Sequence, residues 1–165
     1  MRRPAVIALL VITAALLQTA VFPWLTLAGF RPDLLLLLTA AFALRDGPWT
    51  GMAVGFGSGL LHDLLLVQPP VGLYALVLLV LGYAIGVLRP YIAVGSASIP
   101  LALAFVSGIV ATVGYAAFSR LLGDERYAIE LVLPGGLLLA LYNTLLAPLA
   151  FALVTRLTAR FPAET

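Results

Sequence analysis

The sequence predicts an all-α membrane protein, a bundle of about six transmembrane helices that forms a single domain over residues 1–165. The first observation is composition, because 63% of the residues are hydrophobic, only 10% are charged, and the mean hydropathy is +1.15. A soluble domain carries about 25% charged residues, so lipid must be the solvent for much of this chain. The second is length, since six spans of about 20 residues would use most of the chain.

The residue types exclude several kinds of site. The chain has no cysteine, which excludes disulfides, thiolate catalysis and soft-metal clusters. Its single histidine has no ligand-spaced partners with which to build a metal site. We therefore expect no cofactor and no metal. The net charge of +2 is spread over helix ends and gives no footprint for nucleic acid.

The first segment is predicted to be a helix from about Ala5 to Leu27, preceded by Arg2 and Arg3. A signal peptide also has a basic start and an apolar core. This apolar run is longer than a signal core of roughly 7–15 residues. A retained transmembrane helix is therefore the favoured interpretation.

The second segment, Pro32 to Leu44, begins with a proline in its first turn and with Asp33, whose charge suits the positive end of a helix. It is short for a span, so we expect it either to extend back through Leu27 to Phe30 or to lie where the bilayer is thinned. Turns rich in proline and glycine separate it from the later segments. Those segments are predicted at Trp49 to Val67, Val71 to Leu88, about Ala97 to Leu122, and about Leu131 to Leu153.

The distribution of arginine predicts the orientation. With six spans, both termini share a side, which carries six arginines against three on the other side, where most of the acids lie. The excess of arginine marks the cytoplasmic side. A five-span count, which would leave one group of arginines outside, is the alternative. The six are Arg2, Arg3, Arg45, Arg89, Arg156 and Arg160, and the three are Arg31, Arg120 and Arg126.

Glycines recur at helical spacing in the third and fourth segments. Gly51, Gly55 and Gly59 are four residues apart and so share one face of a helix, and Gly82 and Gly86 have the same spacing. Such a doubled G-x-x-x-G pattern allows a second backbone to approach closely. We interpret these glycines as the packing face between the two segments. A glycine-lined substrate groove is the alternative.

Ser58, His62 and Asp63 are the residues that could suggest catalysis, since Ser58 and His62 are i, i+4 neighbours. The surrounding sequence does not fit, because a G-x-S-x-G elbow would need glycine where Phe56 and Leu60 stand. The sequence therefore favours a protein that is not an enzyme.

Asp63 still requires an explanation, because a carboxylate within an apolar helix is costly. It lies about 14 residues, or roughly 21 Å, along the helix from Trp49, on the level of Arg31 and Asp33. Asp63 could form a structural hydrogen bond to a helix end or to Arg31, it could bind a partner, or it could bind a ligand. The structural and partner roles are favoured over the ligand role. Arg31, Asp33, His62 and Asp63 are the candidate residues for a partner contact or a polar pocket.

Two carboxamides and one loop complete the polar groups. Gln18 and Asn143 are predicted to act as interhelical hydrogen-bonding groups rather than as parts of an active site. The loop from Arg120 to Glu130 has mixed charges and is interpreted as a solvated connection, with a docking edge as the alternative.

Taken in order, segments two to four resemble the rod shape-determining protein MreD family. The resemblance rests on RPDLLLLL (Arg31 to Leu38), G-x-x-x-G-F-x-x-G-L-L-x-D-L (Gly51 to Leu64), G-L-x-A-L (Gly72 to Leu76) and GY-x-x-G-x-L-R (Gly82 to Arg89). It covers the middle third of the chain with specific residues. His62 departs from the pattern, which has an apolar residue before the aspartate.

The resemblance implies a non-enzymatic inner-membrane component of the bacterial cell-elongation machinery. Its implied partners are MreC, a bitopic protein linked to the peptidoglycan synthases, and other membrane proteins of that machinery. The family also resembles the substrate-binding subunits of energy-coupling-factor transporters, which are six-helix bundles with an outward pocket. A binding subunit for a vitamin or a metal is therefore the alternative function, with Asp33, His62, Asp63 and Tyr74 as the pocket candidates.

Overall fold

The computed structural model describes residues 2–21, 24, 26, 31–66, 71–92, 98–123 and 129–160. These residues form helices and contain no strand, so the predicted all-α fold is confirmed for the described part of the chain. A 3-10 turn at Arg89–Tyr91 follows the fourth helix. The six α-helices are α1 (Arg2–Ala20), α2 (Leu34–Asp46), α3 (Pro48–Leu66), α4 (Leu73–Leu88), α5 (Ser98–Leu121) and α6 (Ile129–Ala159).

Four stretches within the described residues are long and apolar enough to cross a membrane, where the sequence predicted about six spans. They are Arg3–Ala20, Leu73–Tyr91, Ser98–Leu121 and Val132–Ala159. α2 has 13 residues and is only about 20 Å long, against a hydrocarbon core of about 30 Å. α3 has 19 residues and is long enough to span, but its glycines, His62 and Asp63 make it less apolar than these four stretches require.

The helix α2 lies at the centre of the bundle. Every residue from Leu35 to Leu44 is buried, and the helix contacts all five of the others. A helix that is apolar on all sides is one that is buried on all sides. The leucine run therefore fills the protein core, and protein rather than lipid surrounds it.

The helices α3 and α4 are antiparallel and pack backbone to backbone. A Cβ atom added to Gly51 would lie 2.5 Å from the carbonyl oxygen of Gly82, closer than side chains approach in real proteins. Gly55 and Gly59 lie equally close to the backbone of α4, at Leu78 and Ala75. The absence of a Cβ on one face of α3 therefore determines how closely these two helices approach.

The helices α5 and α6 form a second antiparallel pair. The two helices approach closely at Gly108, where an added Cβ would lie 2.7 Å from the Cα of Ala140. This pair packs on the central helix through small residues, with Ala104, Ala147 and Ala150 surrounding Leu37. The pair also contacts α4, where Ala111 and Tyr115 share a buried cluster with residues of α4.

Two helix boundaries differ from the prediction. α1 ends at Ala20 rather than near Leu27. Pro23 follows in the sequence, and proline disfavours helical backbone in the residue before it. α6 continues past Pro148 to Ala159 instead of ending near Leu153, since neighbouring helices in a bundle compensate for the missing hydrogen bond. The possible extension at 27–30, the break at 68–70 and the charged residues 124–128 lie outside the described residues.

Candidate functional site

The N-terminus of α2 begins inside the bundle and is satisfied by side chains from three helices. Oδ1 of Asp33, which is 4% exposed, accepts a hydrogen bond from the N–H of Leu36 at 3.1 Å. The N–H of Asp33 donates to Oδ1 of Asn143 on α6 at 2.9 Å. Oε1 of Gln18 on α1 accepts hydrogen bonds from the N–H groups of Leu34 and Leu35 at 3.0 and 3.4 Å. All four N–H groups that a helix leaves free at its start therefore have an acceptor.

Three N–H groups at the N-terminus of α4 donate to one residue of α3. Oδ2 of Asp63 accepts hydrogen bonds from the N–H groups of Gly72, Tyr74 and Ala75 at 2.8, 3.1 and 3.3 Å. Gly72 has a φ of 96°, a conformation that favours glycine, and this directs its N–H toward the carboxylate. Asp63 is only 1% exposed, so it acts as a buried N-terminal cap supplied by a neighbouring helix.

Aromatic side chains connect the two capped helix ends. The hydroxyl of Tyr74 donates to Oδ2 of Asp33, so α4 contacts the cap of α2 directly. The ring of His62 lies on the ring of Tyr74 with centroids 4.3 Å apart, and its Nδ1 is 3.8 Å from Oδ1 of Asp63. We name this set the capping cluster; its members are Gln18, Asp33, His62, Asp63, Tyr74 and Asn143.

The capping cluster follows from the shortness of α2 and from its burial. A helix that begins inside a bundle has no water at its first turn, and each unsatisfied N–H there costs about 1–3 kcal/mol. A carboxylate suits this position because the N-terminus of a helix carries about half a positive charge. The charges of Asp33 and Asp63 are therefore stabilised by backbone N–H groups of α2 and α4.

The same geometry does not form a catalytic arrangement from Ser58, His62 and Asp63. Within the described residues, the Oγ of Ser58 and the Nδ1 of His62 have no hydrogen-bond partner, although both atoms are buried. A nucleophile needs a base within about 2.6–3.2 Å. The described residues also contain no group of three or more His, Cys, Asp or Glu side chains that could hold a metal ion.

The structure brings together three of the four residues proposed from the sequence. Asp33, His62 and Asp63 belong to the capping cluster, and Asp63 bonds to a helix end, one of the two structural roles considered for it. Within the described residues, Arg31 makes no hydrogen bond or ion pair and does not contact Asp63. Whether any of these residues contacts a partner stays a prediction.

Sequence reasoning identified Gln18 and Asn143 as interhelical groups but missed that both bond to the start of α2. The position of each side chain along its predicted helix could have indicated this, because it places Gln18 and Asn143 at the same membrane depth as Asp33. It also missed the close approach at Gly108. Small residues at Ala104, Gly108 and Ala111 indicated that contact.

The family model for rod shape-determining protein MreD matches residues 2–157 of the 165-residue chain, a range that includes the whole capping cluster. No curated protein and no solved structure matches the chain. The likeness to substrate-binding subunits of transporters therefore stays a prediction.

Proposed function

The chain belongs to the rod shape-determining protein MreD family, and we propose that it is a non-enzymatic, multi-pass inner-membrane component that supports bacterial cell elongation. The match of the family model over residues 2–157 carries this proposal. The apolar composition and the four long apolar helices support the membrane location.

The use of the buried carboxylates favours a structural role over turnover. Asp33 and Asp63 are the acids in the capping cluster, and both accept hydrogen bonds from N–H groups at helix N-termini. General acid–base chemistry requires a group that can exchange a proton with a substrate. The Oδ2 of Asp63 already accepts three backbone N–H bonds, and this use favours a structural role for the carboxylate.

The proposed partner is MreC, with other membrane proteins of the elongation machinery assembling around the pair. Through that contact the protein would help organise peptidoglycan synthesis. A surface of suitable chemistry is available on α6, where leucines four residues apart face outward from the bundle. Lipid or the single transmembrane helix of a bitopic partner can cover such a surface. The outward leucines are Leu133, Leu137, Leu141, Leu145, Leu149 and Leu153.

The proposed orientation places both termini in the cytoplasm. Arg3 pairs with Asp46, and Arg45 donates to the carbonyl oxygen of Thr155, so the start of α1 and the ends of α2 and α6 lie together. The capping cluster lies toward the opposite end of α2. Retention of positive residues on the cytoplasmic side supports this orientation. Labelling of a cysteine placed at position 160 from the outside would contradict it.

The proposed function is tested in a rod-shaped bacterium depleted of its own member of the family. We expect the tagged chain to restore rod shape and to recover MreC from detergent extracts. As a control for substitution within α3, Gly57→Leu should also restore rod shape, since an added Cβ at Gly57 meets nothing within 4 Å. A folded chain in the membrane that restores no shape, and that copurifies with a transporter ATPase module instead of MreC, would contradict the proposal.

A further inference from the structure

Arginines from several helices converge on the turn between α2 and α3. The Nη2 of Arg3 on α1 donates to Oδ1 of Asp46 at 2.5 Å. The Nη1 of Arg45 donates to the carbonyl oxygen of Thr155 at 3.3 Å. The Nη1 of Arg89, at the end of α4, lies 3.8 Å from where a Cβ of Gly47 would stand. We name Arg3, Arg45 and Arg89 the arginine cluster.

Positive charge exceeds negative charge at this cluster. Asp46 pairs with Arg3, and its Oδ1 is 3.8 Å from the Nε of Arg45. Within the described residues, no carboxylate pairs with Arg89, and its side chain is exposed. Asp46 is thus near Arg3 and Arg45, whereas the charge of Arg89 has no acidic partner among the described residues. Guanidinium is weakly hydrated and binds phosphate oxygens through two parallel hydrogen bonds.

Aromatic and aliphatic side chains lie directly beside the arginine cluster. Trp49, in the first turn of α3, is 73% exposed. Its ring and that of Tyr83 pack in a T-shaped arrangement with centroids 6.4 Å apart. Tyr91 is 85% exposed, and the neighbouring Leu88 faces outward as well. Exposed tryptophan and tyrosine at the end of a membrane span mark the level of the lipid headgroups. The arginine cluster therefore lies where phosphate groups of the bilayer are found.

From this placement we infer that Arg45 and Arg89 bind the phosphate of an anionic phospholipid, whose acyl chains cover Leu88 and the rings of Trp49 and Tyr91. The inference goes beyond the proposed function and does not depend on it. The adjoining apolar surface favours a lipid over an acidic protein segment. A segment would contact only the arginines, whereas one lipid molecule satisfies the charge and covers the apolar side chains together.

The test uses the full chain in nanodiscs of phosphatidylcholine, with and without phosphatidylglycerol. Trp24→Phe leaves Trp49 as the only tryptophan, so its fluorescence reports lipid beside the cluster. We expect brominated phosphatidylglycerol to quench Trp49 more strongly than brominated phosphatidylcholine does. Arg89→Gln should weaken this preference about fivefold, with Arg89→Lys giving a smaller loss, because each arginine contributes about 1 kcal/mol to anionic-lipid binding.

Two control variants remove the same charge elsewhere. Arg160→Gln lies at the same end of the bundle but outside the cluster, and Arg120→Gln lies at the end of α5. Both should keep the preference, and circular dichroism checks that all variants fold. The inference would be overturned if Arg160→Gln lost the preference for phosphatidylglycerol as strongly as Arg89→Gln. It would also be overturned if the two brominated lipids quenched Trp49 equally in the protein with all its arginines. It would also be overturned if an acidic peptide abolished the preference for phosphatidylglycerol while brominated lipid still quenched Trp49.

Discussion

The α3/α4 and α5/α6 hairpins are both antiparallel, but they are held together in different ways. Along α3, Gly51, Gly55 and Gly59 each lie against the backbone of α4, and Asp63 then caps the start of α4. Along α5, Gly108 lies that close to its partner helix, whereas Gly114 and, on α6, Gly136 have room for a methyl group. The first hairpin therefore has three such contacts along the length of α3, whereas Gly108 provides one in the second.

This difference matches the position of each hairpin in the bundle. The α3/α4 pair packs against the central helix and supplies both Asp63 and Tyr74 to the capping cluster. The α5/α6 pair packs on the outside of α2 and α4 and exposes much of its apolar surface. Close backbone packing is therefore concentrated where the polar groups require exact placement, since hydrogen bonds weaken within a few tenths of an ångström.

The largest effect is expected from Gly55→Leu or Gly59→Leu. A leucine side chain cannot fit against the carbonyl of Leu78 or the backbone of Ala75, so α4 must move away and the capping cluster must open. We expect loss of the folded, monodisperse protein, measured by thermal denaturation in detergent with size-exclusion detection. Gly57→Leu, on the same helix but facing away from α4, should lower stability by no more than about 0.5 kcal/mol. Equal behaviour of the two variants would contradict the close packing of α3 on α4.

A smaller effect is expected from Gly108→Ala in the other hairpin. The new Cβ would lie 2.7 Å from the Cα of Ala140, so α5 and α6 must separate slightly. Because the contact occurs at one point, we expect a loss of about 1–3 kcal/mol with the fold retained. Chemical denaturation of the reconstituted protein measures it. A loss as severe as that of Gly55→Leu would show that both hairpins are equally constrained.

The smallest effect is expected from Gly136→Ala, which places the same methyl group on α6. Its nearest neighbour would be the Cβ of Thr112 at 3.4 Å, an ordinary contact. Alanine also favours helix by up to about 1 kcal/mol over glycine, so we expect unchanged or slightly higher stability. The same denaturation experiment compares it with Gly108→Ala. A clear destabilisation would place a second tight contact in this hairpin.

The sequence was most informative where the physical cause is local and periodic. A face without Cβ atoms can be read from Gly51, Gly55, Gly59, Gly82 and Gly86, because four residues return to the same side of a helix. The structure places each of them at the contact between α3 and α4 or beside the turn between α2 and α3. Asp33 was readable in the same way, since a carboxylate beside the first turn suits a helix N-terminus.

The sequence was least informative where lipid and protein burial look alike. The leucines of α2 have the hydropathy of a membrane span, yet the helix is a short core element surrounded by protein. Contacts between distant residues also leave no periodic signal. Asn143 bonds to a residue 110 positions away, and only the assembled bundle brings that pair together.

The most direct test of the account is a comparison of Asp63→Asn with Asp63→Leu, measured for stability and for restoration of rod shape. Asparagine keeps an acceptor for the N–H groups of Gly72, Tyr74 and Ala75, whereas leucine leaves three buried donors unpaired. We expect Asp63→Leu to lose about 3 kcal/mol or more and to fail in complementation, and Asp63→Asn to lose clearly less and to restore shape. If both variants are folded and bound to MreC but equally inactive, the charge of Asp63 is what function requires, and its role as a structural cap is wrong.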